Sequence, residues 1–361
     1  MNKPYSLLTG VILFFTAFTA RGQSSGGGFG QLIKASPGDI TKLVQNYIDP
    51  LFKGLGTGLN GGWNNTAKAK KPLHFDLRIS ASAAFVPEMD KSFDVTKIGL
   101  SSHVTPKDPS NVFAPTIGGA KTAGPTMYIN DDQGNHINTF IMPQGQLPSL
   151  GQSPLVPAPN VQLQFGIIKN TDITVRASPT INLNNGDGTI NTFGFGIKHD
   201  IIQDFATKKK IIPFDLAIAV NYNKITYSRP LNVQPNSGSQ PAPGNQAADF
   251  STQKFDATVS GLDFQAIISK KLRSFTPFFS LAYQTANSTA NIRGNFPIES
   301  TAPGQSGYYV VVSDPVNISE TSISGLRANA GFQLNLGFFR IYASYSVGQY
   351  QSVNGGIGFG F

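Results

Sequence analysis

From residue 73 onward the chain repeats one signature, apolar and polar side chains alternating with a period of two over unusually long segments. Leu73, Phe75, Leu77, Ile79, Ala81, Ala83 and Phe85 alternate with His74, Asp76, Arg78, Ser80, Ser82 and Ala84. The pattern returns at Ile173–Ala177, Phe214–Tyr222, Leu326–Leu336 and Phe339–Val347. Successive side chains of a strand point to opposite faces, so each segment carries one apolar and one polar face. A soluble sandwich alternates in the same way. Two features favour a barrel in a membrane. Several strands run past the usual length of about five or six residues, as tilted bilayer spans do. Their polar faces carry Arg, Asp, amides and small residues, as a hydrated lumen would. No segment after the N-terminal region approaches the apolar run of about 20 residues that a spanning helix needs.

The connections sort in the same way. Counting back from Phe361, strands are expected near 353–361, 338–348, 320–336, 275–291, 253–269, 212–227, 190–200, 171–183, 161–168 and 73–86. Short connections then fall on one side, at Gly337, Lys270 to Ser274, Gln203 to Lys210 and Lys169-Asn170. Long ones fall on the other, near 87–160, 228–252 and 292–319. Short periplasmic turns and long extracellular loops are the asymmetry of outer-membrane barrels. The expected fold class is therefore an all-β transmembrane antiparallel β-barrel of about 10–12 strands, with up to about 14 possible. Additional strands are possible at Ser92 to Leu100 and in a hairpin of Thr126 to Asn130 with Ile137 to Met142. Near Gly261 the apolar phase slips from Phe255, Ala257, Val259 to Leu262, Phe264, Ala266, Ile268, which reads as a β-bulge. The chain ends on Ile357, Phe359 and Phe361 in phase, which resembles the C-terminal assembly signal of bacterial outer-membrane barrels. That resemblance implies the barrel-assembly machinery as a partner.

The first 22 residues read as a signal peptide, with Lys3 before an apolar Leu7 to Ala20 and small residues ahead of Gln23. Cleavage would remove Lys3 and Arg21 and lower the formal charge from +8 to +6. The outer membrane, with both termini periplasmic, is the expected location. Residues 23–72 form a leader. Ser24 to Gly30 is Gly/Ser-rich, and Ile40, Leu43, Val44, Tyr47 and Ile48 recur at helical spacing behind Asp39 as a possible cap. Asp49-Pro50 should end or kink that helix, leaving Gly54 to Gly62 as a connector. The helix and glycine run, Gly30 to Asn65, would partly plug the periplasmic side of a barrel spanning 73–361.

Charge is sparse, 13% of residues, and the chain has no cysteine. Disulfides, thiolate metal sites and a lipoprotein anchor are excluded. The single dense basic run, Lys208-Lys209-Lys210, falls in a connection, so nucleic acid is not an expected partner. His74, His103, His136 and His199 show neither metal-ligand spacing nor a marked nucleophile. Asn130 to Asn135 lacks the later glutamate of a calcium loop and reads as a turn. No catalytic residue, metal or cofactor is assigned, and the chain is not expected to be an enzyme. Asp76, Arg78, Arg176, Lys198, Arg327, Gln333, Asn335 and Arg340 are the candidate lumen-facing residues. They would line a passage for a small solute or brace a closed barrel.

Two stretches, NYIDPLFKGLGTGLNGGWNNTAKAKKPLHFDL at Asn46 to Leu77 and FGFGIKHDI at Phe193 to Ile201, resemble an exported Bacteroidota family defined only as a domain of unknown function. The resemblance implies an outer-membrane barrel and brings no activity. More loosely, the helix and glycine run are similar to the N-terminal hatch of long-chain fatty-acid transporters. Three functions are open at this point: passive or hatch-gated passage of a small solute or hydrophobic compound, a structural or adhesive protein acting through its loops, and a barrel hydrolase. A secreted soluble sandwich is the remaining rival.

Overall fold

Each long alternating segment forms one strand of a sheet that closes on itself. The computed structural model describes residues 32–33, 37–182, 188–205, 213–244, 248–302, 304–305 and 307–360. The expected signal peptide, the Gly/Ser leader, Lys208 to Lys210 and Phe361 lie outside these. Among the described residues one helix, α1 (Pro37–Asn60), precedes the wall. The wall strands are β1 (Phe75–Phe85), β2 (Ser153–Gly166), β3 (Thr171–Asn182), β4 (Thr189–Asp200) and β5 (Asp215–Pro230). They continue as β6 (Lys254–Ser269), β7 (Phe275–Arg293), β8 (Val316–Leu336), β9 (Phe339–Val347) and β10 (Ser352–Gly360). Every neighbour is antiparallel, and β1 closes the ring, Ile79 facing Ile357 of β10 on one side and Val161 of β2 on the other. No helix among the described residues is long and apolar enough to cross a membrane. The barrel crosses with strands.

Ten strands make the wall. Thr126–Asn130 and His136–Ile141 do pair as a hairpin, but in a small sheet with Val104–Pro106 inside the β1–β2 connection. Ser92–Asp94 pairs only with Phe113–Pro115. In the other direction, β2 starts at Ser153, eight residues before the expected 161, and takes in Pro154, Pro157 and Pro159. Over that stretch β2 pairs with β1 while β3 joins it only from Gln162 and the two residues Ser149–Leu150 cover only Ser153 and Pro154, so Pro157 and Pro159 lie where the strand has one free edge.

The faces of the barrel exchange character halfway up. On β7 the outward residues are Phe275, Phe279, Leu281 and Tyr283, then Thr285, Asn287, Thr289 and Asn291. The inward ones run mainly the opposite way, from Thr276, Ser280 and Gln284, with Phe278 and Ala282 between them, to Ala286, Ala290 and Ile292, with Ser288 between them. The short-turn half is thus apolar outside and polar inside, and the long-loop half is the reverse. This corrects the expected bulge at Gly261. Register runs unbroken through Asn223, Gly261 and Ala286, and the slip of apolar phase is Val259 pointing in while Leu262 and Phe264 point out. Register shifts lie instead between β7 and β8, where Ala286 faces Ile323, Asn287 faces Thr321, and Ser322 is the extra residue, and between β3 and β4 at Ile190/Thr192.

The inverted half exists because a helix fills it. α1 does not stop at Asp49-Pro50 but continues through Pro50 and the glycine run to Asn60. It begins among the long loops, where Lys42 bonds Gly99 and Tyr47 donates to the Gln144 carbonyl at 2.8 Å. It ends near mid-wall, where Asn60 donates to the Thr285 carbonyl. The expected periplasmic plug is therefore corrected: the helix occupies the long-loop half, and residues 61–72 descend through the short-turn half to β1. Leu32 and Ile33 are buried with the long loops, at the rim opposite Gly360. Interior prolines and glycines disfavour a helix, but this one is enclosed by wall, and tertiary packing overrides propensity. The glycines let it fit. A Cβ on Gly54 would lie 2.3 Å from Val156, and on the other side one on Gly56 would lie 2.6 Å from Ala286.

Candidate functional site

The helix delivers its C-terminal carbonyls, a centre of partial negative charge, into the polar half of the lumen. Arg176 of β3 receives them. Its guanidinium donates to the Leu59 carbonyl at 2.7 Å, the Gly61 carbonyl at 2.8 Å and Gln162 Oε1 at 2.9 Å. The same group stacks on Trp63, 3.8 Å from the ring centroid. Gly194 and Gly196 make room for that indole, which lies 3.1 Å from where their Cβ atoms would be.

Below, the descending segment is bound mainly through its backbone. Gln162 and Arg78 donate to the Trp63 carbonyl at 3.2 and 3.4 Å. Lys198 Nζ donates to the carbonyls of Thr66 and Lys68, both at 3.0 Å, and pairs with Asp172 at 3.0 Å. The amides of Lys70 and Ala69 donate to Asp172 at 2.8 Å and Asp200 at 3.3 Å. Asp76 gathers three cations, Arg78 at 2.8 Å, Lys70 at 3.4 Å and Arg340 at 2.5 Å. Gln164 links Arg78 to Asp172. Backbone binding of this kind fixes the path of the segment rather than its side-chain identities.

The eight candidate residues divide by neighbourhood. Asp76, Arg78, Arg176, Lys198 and Arg340 form the cradle. Arg327 is on the wall above it, paired with Asp263 at 2.7 Å, and Asp263 also accepts from Asn221. Gln333 donates to Asn335, which ties to the Ser274 carbonyl and Thr276 near the short-turn rim. Trp63, Lys70, Gln162, Gln164, Asp172, Asp200 and Asp263 were not among the candidates. Gln162 and Gln164 alternate with Val161, Leu163 and Phe165, so the period-two signal was there. Asp263 was hidden by the exchange of faces around Gly261. Ile357 and Phe359 of the closing strand face outward against β9, the Phe359 ring 5.2 Å from that of Phe339.

The interior charges are almost wholly buried, Arg78 and Lys198 at 2% exposure and Arg176 at 1%. The lumen as it stands is filled by its own chain. Lys70, on the descending segment, has its pKa lowered to about 7, first by burial, with Asp76 opposing and Arg78, Arg340 and Lys198 reinforcing. Between that value and the ordinary value of 10.5 the unfolded chain binds the proton that the folded one has released, so stability rises with pH across this window. Melting in detergent is expected to shift upward from pH 7 to 9, and Lys70→Met should flatten the rise. A downward shift would contradict it.

His199 lies on the outward side of β4, and His103 and His136 lie in the β1–β2 connection. His199 Nδ1 shares a hydrogen bond with Thr171 Oγ1 at 2.9 Å, and its Nε2 donates to the Asp204 carboxylate at 2.8 Å. His103 lies 3.3 Å from Ser101 and 3.0 Å from Asp132. Ser101, however, donates its hydroxyl to Asp39 at 2.6 Å, so that trio ties the first turn of the helix to the loops. The Asp131 carboxylate accepts the amides of Gln133 and Asn135 and closes the hairpin turn.

A closed, even-stranded antiparallel barrel with short turns at one rim, long loops at the other and an outward apolar band is an outer-membrane β-barrel fold. Here it is internally plugged. The chain belongs to a family of unknown function, DUF6588, whose model matches residues 1–361. Among solved structures it is similar to the outer-membrane protease OmpT of Escherichia coli, at 7% identity and a TM-score of 0.32 over 84% of this chain and 100% of that one. The translocator domain of the autotransporter NalP from Neisseria meningitidis is similar at 11% identity and 0.29, covering 86% and 92%. The Ralstonia pickettii toluene transporter TbuX is similar at 8% and 0.24, covering 86% and 97%. No protein of curated function matches the sequence.

Proposed function

We propose that this protein is a closed outer-membrane barrel of a Bacteroidota cell that acts at the cell surface through its long-loop cap, the lumen serving as scaffold. The observation that carries this reading is a single hydrophobic core shared by helix, upper wall and long loops. Ile40, Val44 and Phe52 of α1 pack in one cluster with Val104, Phe140 and Phe296 of the loops and Ile292 and Ile318 of the wall. A helix so joined to the cap is no separable stopper. The cap carries a cleft of about 660 Å³, bordered by Lys91, Phe113, Lys121 and Gln152, as a place for recognition. On this reading the C-terminal strand engages the assembly machinery, and the chain performs no catalytic step.

Liposomes carrying the refolded protein are expected not to swell in small sugars or amino acids, while a variant lacking residues 37–72 swells if its barrel stays heat-modifiable. Swelling with the intact protein would sink the closed reading. A second reading, hatch-gated passage of a small solute or hydrophobic compound, is supported by the descending segment. It is held by polar contacts and one small apolar cluster of Ala67, Ala217, Ala219, Ile267 and Phe278. Swelling that appears only after a stimulus, with the cap intact, would favour that second reading.

A further inference from the structure

Above the apolar band, the outward wall of β4 to β8 carries a continuous sheet of hydroxyl and amide side chains. One register row reads Asn191, Thr226, Thr258, Thr289 and Ser319 across the five strands. The row below it reads Phe193, Lys224, Ser260, Asn287 and Thr321. The pairs are pre-set: Thr226 donates to Asn191 Oδ1 at 2.8 Å and Thr321 to Asn287 Oδ1 at 2.9 Å. With the amide oxygens engaged, what faces outward is amide N–H donors and hydroxyl lone pairs. Charge enters at two places. Asp256, one row higher, is matched by Lys254 at 3.1 Å and Arg293 at 3.8 Å, whereas Lys224 is exposed and has no ion pair among the described residues.

A wall facing only water would ordinarily carry charge at roughly a quarter of its positions. Among the described residues this array has one cation without an ion pair, Lys224, at its lower edge, beside the exposed Phe193 and one step above Tyr222, where the band ends. It therefore continues the lipid-facing surface into the headgroup layer. We propose that this face binds a glycolipid of the outer leaflet, with its sugar hydroxyls on the Ser/Thr/Asn rows, a phosphate at Lys224 and acyl chains along Phe193 and Tyr222. Sugar hydroxyls, each both donor and acceptor, complement the amide donors and hydroxyl lone pairs of the rows, and phosphate supplies the anion for Lys224. The proposal rests on the outer-membrane location above.

The test uses full-length protein folded in detergent, titrated with purified lipopolysaccharide or with phosphatidylglycerol. Lipopolysaccharide is expected to raise the melting temperature saturably, by several degrees, and phosphatidylglycerol not. Thr258→Glu/Thr289→Glu should lose most of the shift, Lys224→Glu should weaken apparent binding severalfold, and Lys271→Glu, in the exposed β6–β7 turn at the opposite rim, should leave it unchanged. Equal shifts with both lipids, or full shifts in both wall variants, would overturn the proposal. If the wall variants misfold, native mass spectrometry of glycolipid retained by Lys224→Gln and wild type decides instead, equal retention counting against it. Failure of the location itself reads differently: the protein would remain folded and soluble without detergent.

Discussion

Arg176→Ala is expected to destabilise the barrel by about 3–5 kcal/mol, the scale of breaking one side of a buried charged network. The truncation removes the donor to the Gly61 carbonyl and to Gln162 Oε1, leaves the Leu59 carbonyl with the Trp63 indole N–H at 3.1 Å, and strips the cation from Trp63. Trp63 is the chain's single tryptophan and is 1% exposed, so it reports on the plug without labelling. The wild-type emission should be blue-shifted and inaccessible to aqueous quenchers. In the alanine variant it should move to the red and become quenchable, with a lower denaturant midpoint. Arg176→Lys should fall between, since an ammonium cannot span both carbonyls in the fixed geometry of a guanidinium. An unshifted spectrum and midpoint in Arg176→Ala would show that the descending segment is held elsewhere.

The second large effect is steric. Gly54→Leu would place its Cβ 2.3 Å from Val156, and Gly58, one turn on, already sits where a Cβ would meet Ala158 at 2.6 Å. With Gly56 as tightly placed against Ala286, the helix cannot shift away from one wall without striking another. Overpacking typically costs about 1–3 kcal/mol where the surroundings relax, and here relief requires the helix to move along the axis. Gly54→Leu is expected to lower the melting temperature and to admit small sugars that the wild-type barrel excludes. Gly38→Ala, in the first turn with no atom within 4 Å of the added carbon, should be silent. A Gly54→Leu barrel as stable and as tight as the parent would mean that the helix is not wedged.

The wall was legible because a period of two, sustained over nine or more residues, has few other physical solutions. The strands beginning at Thr171, Thr189 and Phe275 lie within a residue of where alternation placed them. The helix was legible only to Pro50. Beyond it, Gly54, Gly56 and Gly58 read as a connector because local propensity says nothing about a wall on either side. The exchange of faces escaped for a related reason. At Val259 and Leu262 the apolar residues obey the same rule, burial away from water, but one answers to a helix and the other to lipid. Arg78 and Arg176 were found as inward charges. That half of their hydrogen-bond acceptors are backbone carbonyls at Leu59, Gly61 and Trp63 could not be read from side-chain patterns.

The direction of the helix has a consequence for assembly. The chain enters the bore from the long-loop rim, descends to the other rim and then builds the wall around the path already taken. When β10 joins β1, the ring closes on a thread that is knotted into the cap at one end and clasped by Asp76, Asp172 and Lys198 at the other. Thereafter the thread cannot be withdrawn sideways. Unplugging requires the cap to unravel, the clasp to let go, or the β1–β10 seam to part, and each of these leaves a different set of strands exposed to exchange.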